Sequence, residues 1–140
     1  MYYAVIDTNV LVSALLSRVN VTNAPAKIVE YLYQGDLIPV YNENILEEYE
    51  DVLSRDKFHF NPENVQMLIR QIKNFGIHEN RIASEEVFED SDDAVFFEVT
   101  LAHREKNENT YLITGNMKHF PVKPFVVSPR QMANILKVKY

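Results

Sequence analysis

Residues 1–16 read MYYAVIDTNVLVSALL, and the change of pattern inside them decides the fold class. Met1–Ile6 is a short apolar run of strand character. Asp7-Thr8-Asn9 ends it with three small polar residues, and Val10–Leu16 resumes as an apolar helix start. The remainder of the chain repeats the alternation. Pro25 sits near the first turn of a helix through Tyr33, with Gly35 as its stop. Leu37–Tyr41 is the next strand, and Asn42 caps a helix running to about Ser54. Asn61-Pro62 opens a helix that ends at Gly76, and Ile77–Ile82 is a weak strand. Ser91 caps a helix from Asp92 to about His103. Thr110–Thr114 and Phe125–Val127 are strands, and Ser128-Pro129-Arg130-Gln131 has the form of a capping box opening a last helix.

Strands alternating with helices through short connections predict an α/β fold, with a central parallel sheet flanked by helices on both faces. The 140 residues suit one domain over 1–140, and no repeat or linker divides them. Apolar residues at 46% exclude a disordered chain, and the three Gly exclude a collagenous one. No run approaches the roughly 18 apolar residues that a membrane span requires, and the start of the chain lacks the form of a secretory signal. The absence of Cys excludes a disulfide scaffold, a thiolate metal site and a Cys nucleophile, and it suits a reducing cytosol.

Fourteen basic against twenty acidic residues give a net charge of −6, which at face value opposes a nucleic-acid partner. The distribution says more than the sum. Residues 43–51 hold five acids and residues 85–93 hold six, so eleven of the twenty fall in eighteen positions. Residues 1–99 carry seven basic and eighteen acidic groups, or −11; residues 100–140 carry seven and two, or +5.

Each acidic region admits a bland reading and a chemical one. Asp7 follows the first strand of a parallel sheet, where ligands gather beyond the strands' carboxyl ends, yet Asp is equally an N-cap for the next helix. In the helix after Asn42 the apolar stripe centres near Tyr49. At about 100° per residue, Glu47 and Asp51 fall roughly 160° from that centre and face solvent. Glu48 and Glu50 fall roughly 100° away, at the two borders of the stripe, and periodicity does not choose between them. Asp90-Ser91-Asp92-Asp93 opens a helix that is apolar almost all round, and three carboxylates in four residues exceed what the helix dipole calls for. Carboxylates meeting in one crevice raise one another's pKa or recruit a cation, and oxygen-only donors suit Mg²⁺ or Mn²⁺.

These residues resemble the PIN-domain family, in particular its branch of toxin components of toxin–antitoxin systems. Val5-Ile6-Asp7-Thr8-Asn9-Val10-Leu11-Val12-Ser13-Ala14-Leu15-Leu16 is similar to that branch's first motif. Ile45-Leu46-Glu47-Glu48-Tyr49-Glu50-Asp51-Val52-Leu53 is similar to its second, which assigns the metal-site glutamate to Glu48. Asp90-Ser91-Asp92-Asp93 with Phe96-Phe97-Glu98 resembles the third, with Asp93 as the ligand. Tyr111-Leu112-Ile113-Thr114-Gly115-Asn116, followed by His119-Phe120-Pro121, resembles the fourth, and Ser128-Pro129 also fits the branch. Many PIN domains carry an aspartate where this chain has Asn116.

The resemblance implies a Mg²⁺- or Mn²⁺-dependent endoribonuclease that leaves 5′-phosphate and 3′-hydroxyl ends. Asp7, Glu48 and Asp93 would be its metal ligands and Asn116 a neutral fourth member of the catalytic set, so metal affinity is reduced or a single cation is held. Thr8 or Thr114 would hydrogen-bond a ligating carboxylate or the scissile phosphate. RNA contacts fall to Lys118, Arg104, Lys123 and Arg130, with Lys106 also in the basic portion. His59, His78 and His103 show no ligand spacing, and His119 stays outside the catalytic set because metal-activated water needs no His base. A small cognate antitoxin, a homodimer and a cytoplasmic location follow from the same resemblance. The alternative is a degenerate PIN domain that binds RNA or regulates without catalysis. A receiver or a haloacid-dehalogenase-type phosphatase fits less well: receivers place paired acids after the first strand, and the phosphatase motif needs Asp at the position of Asn9.

Overall fold

β1 (Tyr2–Ile6) is the middle strand of a sheet in a computed structural model that describes residues 1–17 and 23–139. The other strands are β2 (Leu37–Tyr41), β3 (Ile77–His78), β4 (Thr110–Ile113) and β5 (Val126–Val127). The helices are α1 (Thr8–Leu16), α2 (Ala24–Gln34), α3 (Glu43–Leu53), α4 (Pro62–Phe75), α5 (Ser91–Arg104) and α6 (Pro129–Lys139). The strand order is β3-β2-β1-β4-β5, and every pairing is parallel. The chain thus steps outward from β1 on one side, then returns to build the other side. That reversal puts a crevice between the carboxyl ends of β1 and β4, where Asp7 N–H donates to Ile113 O at 2.9 Å.

Parallel strands need covered faces, which is why β1 reads as an apolar run rather than an alternation; Ala4, Val5 and Ile6 are buried. Crossovers between parallel strands are right-handed, so the outward steps place α2 and α4 on one face and the return places α5 on the other. α2 and α4 both pack on β2, and α6 joins α2; α5 crosses β4, β1 and β2. α3 touches α1, α4 and α5 and so ties the two helical layers together. Tyr49 of α3 is fully buried, with its hydroxyl donating to Ile6 O at 2.5 Å.

The helix ends follow the sequence signals with one shift. Asn23, Asn42 and Asn61 accept from the backbone N–H groups of Ala26, Ile45 and Glu63. Ser128 Oγ accepts from Gln131 N–H while Gln131 Oε1 accepts from Ser128 N–H, a reciprocal capping box. At α5, however, Asp90 and not Ser91 is the cap, its carboxylate accepting from Asp92 N–H at 2.9 Å.

The expected strand Ile77–Ile82 shrinks to Ile77–His78, because these pair with Val40 and Tyr41 and β2 then ends. Glu79 N–H donates to Tyr41 O, and its buried carboxylate turns to His103 Nδ1 (2.9 Å) and Lys106 Nζ (3.0 Å) on the far end of α5. Residues 79–90 therefore form a long connection without helix or strand, contrary to the short links expected throughout.

Two glycines are required for different reasons. A Cβ on Gly76 would stand 2.3 Å from Ile72 O and 2.6 Å from Pro39 O, where α4 turns onto β2. Gly35 has open space around it but a φ of 81°, the left-handed C-terminal stop of α2. Gly76→Ala is expected to cost about 2 kcal/mol through backbone displacement, and Gly35→Ala about 1 kcal/mol through conformation alone. Thermal melts check this: the Gly76 variant should fall about twice as far, and Asn should be tolerated at position 35 but not at 76.

Candidate active site

Asp7 stands at the N-cap position of α1 but makes no side-chain cap bond. Its carboxylate Oδ2 instead accepts from Thr114 Oγ1 at 2.8 Å, across the crevice at the end of β4. Thr114 Oγ1 in turn accepts from Asn116 N–H at 2.9 Å, and Gly115 N–H donates to Asn9 Oδ1 at 3.2 Å. The polar break Asp7-Thr8-Asn9 is thereby sewn to Thr114-Gly115-Asn116. Asp7 thus faces the crevice from the N-cap position, where the backbone N–H groups of Thr8 and Asn9 also favour its charged form.

Glu48 enters from α3. Its Oε2 accepts a hydrogen bond from Thr8 Oγ1, and the side chain is partly buried. Glu50, the other candidate by periodicity, is exposed and accepts from Gln66 Nε2 at 2.8 Å, facing α4 instead. Glu47 and Asp51 face solvent as expected. Burial of Tyr49 orients α3, so its two flanking acids point to opposite sides of the helix and only Glu48 turns toward Asp7.

Asp93 lies in the first turn of α5, half-buried, with Oδ2 at 3.7 Å from His119 Nδ1. Asn116 is exposed, and its Nδ2 lies 3.3 Å from the same His119 nitrogen. A groove of about 340 Å³ opens beside Asp93, between residues 86–93 and the short 3₁₀ turn Met117–His119 with Phe120 and Pro121.

The electrostatics show that these carboxylates share one environment. Burial pushes the Asp7 carboxyl up. Glu48 is raised by burial, then by the charges of Asp7, Asp92 and Asp93. Asp93 is pushed up to about 6, first by burial and then by Asp7 and Asp90. A carboxylate in a helix's first turn is ordinarily favoured by the dipole, so burial together with the neighbouring acids outweighs that contribution. No Lys or Arg pairs with Asp7, Glu48 or Asp93 among the described residues. As placed, no three His, Asp or Glu side chains among the described residues close on a common point tightly enough to hold a cation directly.

The basic candidates scatter. Lys118 lines the groove beside Asp93. Lys123 pairs with Glu86 at 3.6 Å on the groove's outer side. Arg130 lies in the first turn of α6, close to Lys27 of α2. Arg104 is at the opposite end of α5 from Asp93, where it donates to the carbonyls of Glu108 and Thr110 and stacks over Phe125 at 4.3 Å. Its partners make it a tether between α5 and β4. Sequence reading missed Tyr49 and Asn9 as organisers of the crevice; nothing local in the sequence marks a buried Tyr hydroxyl that will seek the carbonyl of Ile6.

Among the described residues no helix is long and apolar enough to cross a membrane. Neither a curated protein nor a solved structure matches the chain. The sequence profile of the PIN domain does match, over residues 3–118, from the start of β1 through the turn beside Asn116. PIN domains are generally a nuclease fold and typically metal-dependent. With the profile covering most of its length, the chain belongs to the PIN-domain family.

Proposed function

We propose that this chain is a divalent-metal-dependent endoribonuclease, the toxin of a toxin–antitoxin module, built as one PIN domain over residues 1–140 and acting in a reducing cytosol. The observation that carries the reading is the nearness of Asp7, Glu48 and Asp93 at the sheet's switch point, with no Lys or Arg paired to them among the described residues and His119 Nδ1 3.7 Å from Asp93. Like charges held together without a partner are unfavourable, and a cation is the missing counter-charge. The donors are all oxygens, which suits Mg²⁺ or Mn²⁺, and Mg²⁺ keeps several waters, so the carboxylates need not close a full cage around it. When bound, such a cation would neutralise a phosphate and acidify a bound water.

The chain's own residues set the geometry. Thr114 fixes one oxygen of Asp7 and Thr8 fixes one of Glu48, which orients both carboxylates for ligation. Asn116 offers a carbonyl and an amide without charge, so the site carries three negative charges where many relatives carry four. Lys118 holds the RNA backbone beside Asp93, while Lys123, paired with Glu86, and Arg130, beside Lys27 on α2, lie away from it. A homodimer and a small cognate antitoxin complete the reading by family resemblance.

Incubation of the pure protein with mixed RNAs tests it. Cleavage is expected with Mg²⁺ or Mn²⁺, none with EDTA, and none from Asp7→Asn; metal-independent cleavage, or equal cleavage by that variant, would refute the site. Thr114→Val is expected to lose about ten- to a hundredfold in rate by freeing Asp7 while the fold persists. No cleavage of any RNA, with Asn116→Asp restoring it, would favour the degenerate, non-catalytic alternative.

Stability should respond to pH and metal. In the ion-free chain Asp93 titrates near 6, against an ordinary value of 3.8, so the folded state holds a proton that the unfolded chain has released. Stability is therefore reduced above about pH 6 and recovers as pH falls toward 4. Asp93→Asn should raise stability at pH 7.5 by on the order of 1 kcal/mol, allowing for solvent screening, and by less at pH 5. Added Mg²⁺ should raise the melting temperature of the wild-type chain but not of Asp7→Asn. Melts with and without EDTA read both effects.

A further inference from the structure

The groove beside Asp93 has two unlike lips. On one side stand Lys118 and His119; on the other stand the acids of residues 86–90, which the nuclease reading above does not use. Glu86 is paired with Lys123, and Asp90 caps α5. Glu89 and Lys118 are then left with no hydrogen bond or ion pair among the described residues, and they do not pair with each other across the groove. Three apolar residues, Val87, Phe120 and Pro121, also line it. Phe120 is buried, Pro121 follows it in the chain, and Val87 is 95% exposed.

We propose that this groove is the specificity pocket for one nucleotide of single-stranded RNA, seating a guanine base against Val87 and Pro121 with its Watson–Crick edge toward Glu89. The inference rests on the ribonuclease reading for its biological substrate, and on the groove alone for its chemistry. The volume of about 340 Å³ lies at the small end for ligand pockets and suits a single nucleotide. The lips dictate orientation. A phosphate is repelled by Glu89 and attracted by Lys118, so the backbone lies along the Lys118 side, next to Asp93, and the base edge turns to the acidic side. A carboxylate there accepts hydrogen bonds and donates none. Guanine alone presents two adjacent donors, N1–H and the N2 amino group, matching both oxygens of one carboxylate. Adenine and cytosine offer one amino group, and uracil offers a single N–H between two carbonyls. The exposed valine and proline supply the apolar faces on which a base rests.

The test separates this pocket from the nuclease reading by measuring binding without cleavage. 5′-GMP, 5′-AMP, 5′-CMP and 5′-UMP are titrated into the wild-type chain by heteronuclear NMR. GMP is expected to bind about tenfold more tightly than UMP and to shift the amides of Val87, Glu89 and Phe120. Glu89→Gln should reduce that preference to threefold or less; Glu85→Gln, an exposed acid outside the groove, should leave it intact. Equal affinity for all four nucleotides, no binding at millimolar concentration, or a preference that survives Glu89→Gln would overturn the proposal. Mapping of RNA ends gives the second arm. Cuts adjacent to G that spread to other bases in Glu89→Gln support the pocket, and cuts without any base preference overturn it while leaving the nuclease reading in place. A GMP preference in a chain that cuts no RNA would support the pocket and overturn the nuclease reading instead.

Discussion

The hydrogen bond from Thr114 to Asp7 joins residues 107 positions apart, and it exists only because β1 and β4 pair in parallel with Ile6 opposite Ile113. That register brings the two strand ends to one level. Asp7 and Thr114 then emerge side by side, and the next residues, Asn9 and Gly115, tie the two loops together. A slip of one residue would send Asp7 to the opposite face and bury a carboxylate among the helices on that side. Everything at the crevice inherits this alignment. Thr8 can reach Glu48 only because α1 begins immediately after Asp7, and α3 is held at its level by the hydroxyl of Tyr49 on the carbonyl of Ile6.

The same arrangement stores an unfavourable interaction. Asp7, Glu48 and Asp93 are each pushed toward protonation by burial, and Glu48 and Asp93 further by neighbouring acids. A fold selected only for stability would place a Lys or Arg here or dispense with the acids. The core around them is apolar and well filled, from Ile6 and Leu11 to Phe96 and Phe97, and gains nothing from their presence. Local instability maintained inside an otherwise consistent fold is the usual mark of a site that awaits a ligand.

Much of the architecture was legible because short-range rules decide it. Asn42, Asn61 and the Ser128–Gln131 box cap helices through contacts within four residues, and the apolar run Met1–Ile6 needs both faces covered whatever lies nearby. The errors arose where distant partners decide. Ile77–Ile82 has the composition of a strand, but its length is set by where β2 ends and by the pull of His103 and Lys106 on Glu79. The orientations of Glu48 and Glu50 were closed to helical periodicity, since both sit at equal angles from Tyr49; the fold turns one to Thr8 and the other to Gln66. Arg104 reads as a loose surface cation in the sequence and is committed to two carbonyls and a Phe ring in the fold.

Net charge proves a poor guide to partners for this chain, because the −6 averages groups with separate duties. Some acids are consumed locally, as Glu79 is by His103 and Lys106 and Asp51 is by Arg55. Those at the crevice have no Lys or Arg partner among the described residues, so a polyanion would meet repulsion there unless a cation intervened. The segment from Asn116 to Lys123 is different: it places Lys118 and His119 directly against that acidic edge, at the end of the strand whose Thr114 holds Asp7. A phosphate approaching along this segment would meet Lys118 beside the carboxylates. Asn116 stands at its start, exposed and 3.3 Å from His119, and adds no charge to the acidic edge.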